Sequence, residues 1–199
     1  MNAIANFLFE VGMLQKTPRS GFQFLGSGAQ SVAEHSHRSA VIGYCLAQMD
    51  KSVDGARVVL MCLLHDVPEA RTGDLNYVNK KYAQVDEARA IADGSAELPF
   101  AAHYRAALAE FGGKDTPEAR LAHDADQLEM ILALKEQKDR GNRYAERWYP
   151  YSFKRLCTAA GQRLAEVIWT TDSSAWWFDD DGEWWVNGTR QQGGSDDCS

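Results

Sequence analysis

Apolar positions recur at helical spacing through most of this chain, and the polar residues between them mark where the helices begin and end. Ile4, Phe7, Leu8, Val11 and Leu14 predict an amphipathic helix over Asn2–Gln15. Pro18 and its neighbours break it, and residues 22–30, carrying Gly26 and Gly28, read as a loop. Ser31-Val32-Ala33-Glu34 is a capping box that starts a helix running to Met49, with Val32, His35, Ile42, Leu46 and Met49 on roughly one face. Asp54 can cap the next helix, which passes through Leu60–Leu64 and ends in His65-Asp66; Pro68 stops it. Two helices are expected over Asn76–Ile91 and Glu97–Phe111, separated by Asp93-Gly94-Ser95. Thr116-Pro117 opens a long helix to about Lys138, and Tyr151–Thr170 reads as the last one.

Beyond Thr170 the pattern changes. Trp176-Trp177-Phe178 and Trp184-Trp185-Val186 flank an Asp-Gly pair, which predicts a β-hairpin. Period-2 alternation is lacking elsewhere, so the expected class is all-α, a helical bundle with a small C-terminal β-hairpin. The expected division is a helical domain over 1–175, a Trp-rich hairpin over 176–190 and a disordered tail over 191–199.

Length and composition narrow the options. A chain of 199 residues, 45% apolar and 25% charged, is long enough to bury a core. Its net charge of −7, without a basic run, argues against a nucleic-acid polymer or an anionic membrane as partner. An acidic enzyme acting on an anion must therefore gather positive charge locally. Cys45, Cys62, Cys157 and Cys198 show no metal or redox spacing, and Cys45 and Cys62 sit in apolar helical stretches as free thiols. Without a basic-then-apolar leader or an apolar run near ~18 residues, the expected location is cytoplasmic.

The candidate chemistry lies in Leu63-Leu64-His65-Asp66-Val67-Pro68-Glu69-Ala70-Arg71-Thr72-Gly73-Asp74. His and Asp at the end of a buried helix need a partner or a metal, and imidazole with carboxylate suits Zn, Mn, Fe or Co. Alone, such a dipeptide is more often a helix-end cap or a surface pair than a metal site. Two further blocks change the balance: Ser31-Val32-Ala33-Glu34-His35-Ser36-His37-Arg38 upstream, and His123-Asp124-Ala125-Asp126-Gln127-Leu128-Glu129 downstream. A His, then His-Asp, then a distant Asp, each on its own predicted helix, resembles the HD-domain superfamily of metal-dependent phosphohydrolases. The likeness runs from about Leu14 to about Glu136 and is closer to the small bacterial 5'-deoxynucleotidase-like branch.

That resemblance implies one divalent metal ion (Mn, Co, Fe, Zn or Mg) held by His35, His65, Asp66 and Asp126. It places Glu69 and Asp74 as catalytic residues, Glu69 moving a proton and Asp74 orienting water or the sugar. It also makes Arg19, with Asp74, a substrate ligand; a guanidinium fork matches phosphate oxygens. Related nucleotidases often carry a Trp beside this Arg to sense the sugar. Here Ser20 and Gly21 follow Arg19 and the aromatic residue is Phe22, so strict deoxyribose selection is not implied. Glu129, one turn beyond Asp126, is expected to pair with a nearby Lys or Arg or to support the site. His37, about 200° round from His35, reads as a surface residue or one that supports the site, and His103 as a helix-surface residue or, as in some HD enzymes, a ligand of a second metal. The implied activity is a 5'-nucleotidase releasing phosphate from (deoxy)nucleoside 5'-monophosphates, with a small-molecule nucleotide as its partner. The alternatives are an HD-type triphosphohydrolase, a hydrolase of another small phosphate ester, or a non-catalytic nucleotide-binding protein. The Trp-rich end offers enough apolar surface to expect a homodimer.

Overall fold

The structure, a computed structural model, describes residues 1–178, 182 and 184–188. It is mostly helical, and the β structure among the described residues is an isolated antiparallel bridge between Pro18 and Ser31. The helices are α1 (Asn2–Gly12), α2 (Phe22–Leu25), α3 (Val32–Met49), α4 (Gly55–Leu64), α5 (Glu69–Thr72) and α6 (Glu87–Ser95). They continue with α7 (Ala101–Gly113), α8 (Pro117–Asp139), α9 (Ala145–Phe153), α10 (Ala159–Thr170) and the single turn α11 (Trp184–Asn187).

Side-chain caps set the starts of the central helices. Ser31 Oγ accepts from the Glu34 backbone N–H, and the Glu34 carboxylate accepts from the Ser31 N–H at 2.6 Å, closing the expected capping box on α3. Asp54 accepts from the N–H groups of Ala56 and Arg57 at the head of α4. Thr116 accepts from Ala119, with Pro117 in the first turn of α8, where its missing N–H costs nothing.

α3, α4 and α8 pack together at the centre, burying Leu46, Val58, Met61, Cys62, Leu128 and Ile131 completely. α9 and α10 lie against α8, and α7 against α4 and α8. Leu14, Val32, Val67, Tyr104 and Leu108 form a second cluster beneath α1. The crossing of α3 and α4 is close because Gly43 stands at it. A Cβ there would lie 2.8 Å from Cys62 Sγ and 3.1 Å from Val58 Cγ1. That closeness brings the start of α3 against the end of α4, where His35 and His65 sit.

Five expectations are corrected. Residues 22–25 form a helical turn, closed by Gly26 in the left-handed region, because Leu25 is buried with Leu134 and Ala145. The helix expected over Asn76–Ile91 starts only at Glu87. Asn76 Oδ1 accepts from the N–H groups of Val78 and Asn79, which holds a turn, and Asp86 caps α6 through the Arg89 N–H. α6 runs on through Asp93-Gly94-Ser95, so the expected break falls inside a helix. The last expected helix is divided into α9 and α10, because Thr158 caps a new start on Gly161 N–H. The hairpin over 176–190 is not seen among the described residues: Trp184–Asn187 is helical, and the turn at Asp179–Asp181 lies outside them, as does 191–199. No helix among the described residues is long and apolar enough to cross a membrane.

Candidate metal centre

Glu34 is held outward by the cap, so His35, about 100° further round α3, turns inward and is fully buried. Its Nδ1 meets Glu129 Oε2 at 2.5 Å, which leaves Nε2 facing the interior. His65 sits at the end of α4 and its Nδ1–H donates to the Cys62 carbonyl at 2.9 Å, again leaving Nε2 inward. Asp126, on α8, accepts from Gln127 Nε2 through Oδ2 at 2.8 Å and points Oδ1 at the two imidazoles. Asp66 follows His65 directly.

These donors converge although they span 91 residues. His35 Nε2 is 3.4 Å from His65 Nε2, 3.4 Å from Asp66 Oδ2 and 3.2 Å from Asp126 Oδ1. His65 Nε2 is 3.2 Å from Asp66 Oδ2 and 3.9 Å from Asp126 Oδ1. Asp66 Oδ2 is buried, yet no hydrogen-bond partner aligns with it among the described residues. The donors therefore aim at a common point rather than at one another. Asp66, Asp74, Asp126 and Glu129 are set against the guanidinium groups of Arg19 and Arg38, an excess of negative charge that a cation would offset. Burial alone would lower the His35 pKa, but Asp126 and Glu129 outweigh it and raise it to about 9. His65 is raised against the same burial by Asp66 and Asp126. Without a cation, then, the neighbouring carboxylates favour the protonated form of each imidazole. The residues fit a divalent ion with mixed nitrogen and oxygen ligands.

Around this point stand the other expected residues. Glu69, on the single turn α5, keeps Oε2 buried and unpartnered among the described residues. Burial, then the charges of Asp66 and Asp74, push its pKa up to about 8. Arg19 is weakly paired, with Nη1 3.6 Å from Asp66 and 3.9 Å from Asp74, and its buried Nε has no partner among the described residues. Asp74 Oδ2 accepts the Ser20 N–H at 2.9 Å, and Ser20 Oγ donates to the Asp74 carbonyl at 2.6 Å, so the Arg19 loop is fastened to the turn after α5. His37 and His103 are exposed, as expected.

Two residues escaped the sequence reading. Gln30 and Arg38 both donate to Glu129 Oε1, and neither looks remarkable in the sequence, because their partner is more than 90 residues away. The available signal was Arg38 lying one turn beyond His35. A second convergence, His123, Asp124 and Cys157, has a different meaning. The Asp124 oxygens accept from Cys157 N, Thr158 N and Thr158 Oγ1, so this carboxylate anchors the start of α10.

A family model described as an HD domain matches residues 11–168. The chain belongs to the HD-domain family. The Danio rerio 5'-deoxynucleotidase HDDC2 is 27% identical over 145 residues, covering 70% of this chain and 72% of the relative. The Schizosaccharomyces pombe 5'-deoxynucleotidase hdd1 is 27% identical over 150 residues, covering 70% and 75%. Among solved structures, a predicted metal-dependent phosphohydrolase from Magnetospirillum magnetotacticum aligns with a TM-score of 0.65 at 26% identity, over 84% of this chain and 92% of that one. A conserved hypothetical protein from Pyrococcus furiosus aligns with a TM-score of 0.70 at 26% identity, over 82% and 98%. The matched residues include His35, His65, Asp66, Glu69, Asp74 and Asp126.

Proposed function

We propose that this protein is a metal-dependent phosphomonoesterase that releases phosphate from (deoxy)nucleoside 5'-monophosphates. The observation that carries the reading is the convergence of His35, His65, Asp66 and Asp126, with one Asp66 oxygen left unpartnered at the point where they meet. The relatives named 5'-deoxynucleotidase support the substrate class. We assign those four residues as ligands of one divalent cation. When bound, that ion supplies Lewis acidity, a more acidic water and compensation for developing negative charge.

The protein's own groups do the rest. Arg19 has unspent donors in a buried fork and binds the phosphate oxygens. Glu69 is protonated to a higher pH than an ordinary carboxyl and handles the proton, giving one to the leaving oxygen or taking one from water. Asp74 fixes the loop that carries Arg19 and keeps Oδ1 on the site side, available to orient water or the sugar. Free thiols at Cys45, Cys62 and Cys157 suit a reducing, cytoplasmic setting. The exposed rings of Trp176, Trp177, Trp184 and Trp185 support a homodimer. The test is phosphate release from a panel of 5'-monophosphates and triphosphates, each with Mn, Co, Fe, Zn and Mg. Monophosphate turnover is the expected result. Turnover of triphosphates alone would move the assignment to a triphosphohydrolase, and none with any metal would leave a binding protein.

A further inference from the structure

We infer that Glu129 is a positioning residue for the metal centre, fixing the His35 tautomer, and that Arg38 in turn fixes which way Glu129 can act. This rests on the reading of the site as a metal centre and adds to it a residue that touches neither metal nor substrate. Glu129 is fully buried on α8, and both its oxygens are occupied. Oε2 meets His35 Nδ1 at 2.5 Å. Oε1 accepts Arg38 Nε at 2.9 Å, Arg38 Nη2 at 2.6 Å and Gln30 Nε2 at 2.6 Å. Arg38 is itself braced from its other edge, where Nη1 meets Glu136 at 2.5 Å.

A carboxylate can accept on both sides, so Glu129 asks His35 for an Nδ1–H while satisfying three donors behind it. With the His35 proton on Nδ1, the Nε2 lone pair is free, and Nε2 is the atom that faces His65, Asp66 and Asp126. A carboxylate bonded to the far nitrogen of a ligating imidazole also raises its basicity as a ligand.

The arrangement makes an unusual demand on the amide that would replace it. Glutamine has one accepting and one donating end. Gln30 can turn its own amide and offer an oxygen, but Arg38 has only donors. In Glu129→Gln the amide oxygen must therefore face Arg38, and the amide NH₂ then faces His35. His35 is driven to accept at Nδ1 and to carry its proton on Nε2, where it occupies the ligand position. Arg38 is the element that enforces this orientation. Its outer side borders a cleft of about 660 Å³ shared with Gln30 and Glu136, so shortening it opens space toward that cleft rather than a closed void.

The experiment titrates chelator-stripped full-length protein with Co(II), following the visible d–d absorption, with chelator competition for affinity and circular dichroism as the fold control. The proteins are the parent, His65→Ala, Glu129→Gln, Arg38→Leu and the Glu129→Gln/Arg38→Leu double variant. The parent should bind one Co(II), His65→Ala none, and Glu129→Gln should bind about 10- to 100-fold more weakly. Arg38→Leu should strengthen binding in the Glu129→Gln background by more than it changes the parent, a coupling that a purely structural role would not give. Histidine ¹⁵N spectra of the Zn(II)-loaded parent need no variant, and should show the His35 proton on Nδ1. Parent-like affinity in Glu129→Gln, no coupling to Arg38, or a His35 proton on Nε2 in the Zn(II)-loaded parent would each overturn the assignment. If parent and His65→Ala bind Co(II) alike, the metal-centre reading itself fails, and that outcome is distinct from the others.

Discussion

Glu69→Gln should do two opposite things, because it removes a proton carrier and a buried acid in one step. In the metal-free protein, burial and the neighbouring Asp66 and Asp74 hold the Glu69 pKa near 8, against an ordinary 4.5. A carboxyl whose pKa is higher folded than unfolded binds more protons when folded. Its contribution to stability therefore falls as pH rises from 4.5 through 8. At pH 7 the unfolded carboxyl would be ionised while the folded one stays mostly neutral, a difference of roughly 3 kcal/mol against the fold. Glutamine carries no such penalty and keeps the size of the side chain. Metal-free Glu69→Gln should thus be more stable than the parent at pH 7 by up to about 3 kcal/mol, or roughly 6–12 °C in melting temperature. The gap should close below pH 4.5, widen through pH 7 and level off above pH 8. Turnover should move the other way, falling by roughly 10²–10⁴ with metal content unchanged. Urea unfolding of chelator-treated protein at pH 5, 7 and 8 reads the first effect, and phosphate release at saturating nucleotide reads the second. A variant that hydrolyses monophosphates at the parent rate, or one no more stable than the parent at pH 7, would refute the reasoning.

Arg19→Ala should weaken substrate binding as well as rate, because a phosphate contact exists before the transition state; steady-state kinetics should show KM rising and kcat falling together. His65→Ala should abolish metal retention measured by elemental analysis, whereas His37→Ala, on the exposed face of α3, should keep it. Leu128→Ala, at a fully buried point where α8 meets the core, should cost about 2–5 kcal/mol in denaturant unfolding without altering metal stoichiometry. Light scattering at micromolar concentration should return twice the mass of one 199-residue chain, and a stable monomer would defeat the dimer.

The parts of the fold that were legible in the sequence are those written in local chemistry. Ser31 with Glu34, Asp54 and Thr116-Pro117 each fix a helix start within four residues of chain, and all three stand where the pattern put them. The HD-like blocks were legible because His35 and Asp126 lie on helices whose apolar spacing is visible, and His65-Asp66 directly follows another. What stayed hidden depends on contacts across the fold. Apolar and polar residues over 76–91 have helical spacing, but Asn76 turns the chain with its own side chain and leaves Tyr77, Val78 and Tyr82 exposed. The division of the last helix turns on Asp124, 34 residues before the N–H group of Thr158 that it receives. Arg38 and Gln30 likewise gain their meaning from Glu129 alone. The sequence also suggested Asp74 for water or sugar, without any sign that it fastens Ser20.

Three of the acids on helix α8 have three different tasks: Asp124 receives the start of α10, Asp126 faces the two imidazoles, and Glu129 backs His35. Because each residue advances an α-helix by about 100°, a single-residue insertion or deletion between Thr116 and Asp124 would swing all three away from their partners at once. No compensating substitution at one position could repair that. The span over 77–86, by contrast, is mostly exposed and packs no acid into the interior, so its length is free to change. The molecule thus has one segment whose residue count is locked by rotation and another whose count is open. New surface loops can be grafted into the second while the site built on the first keeps its aim.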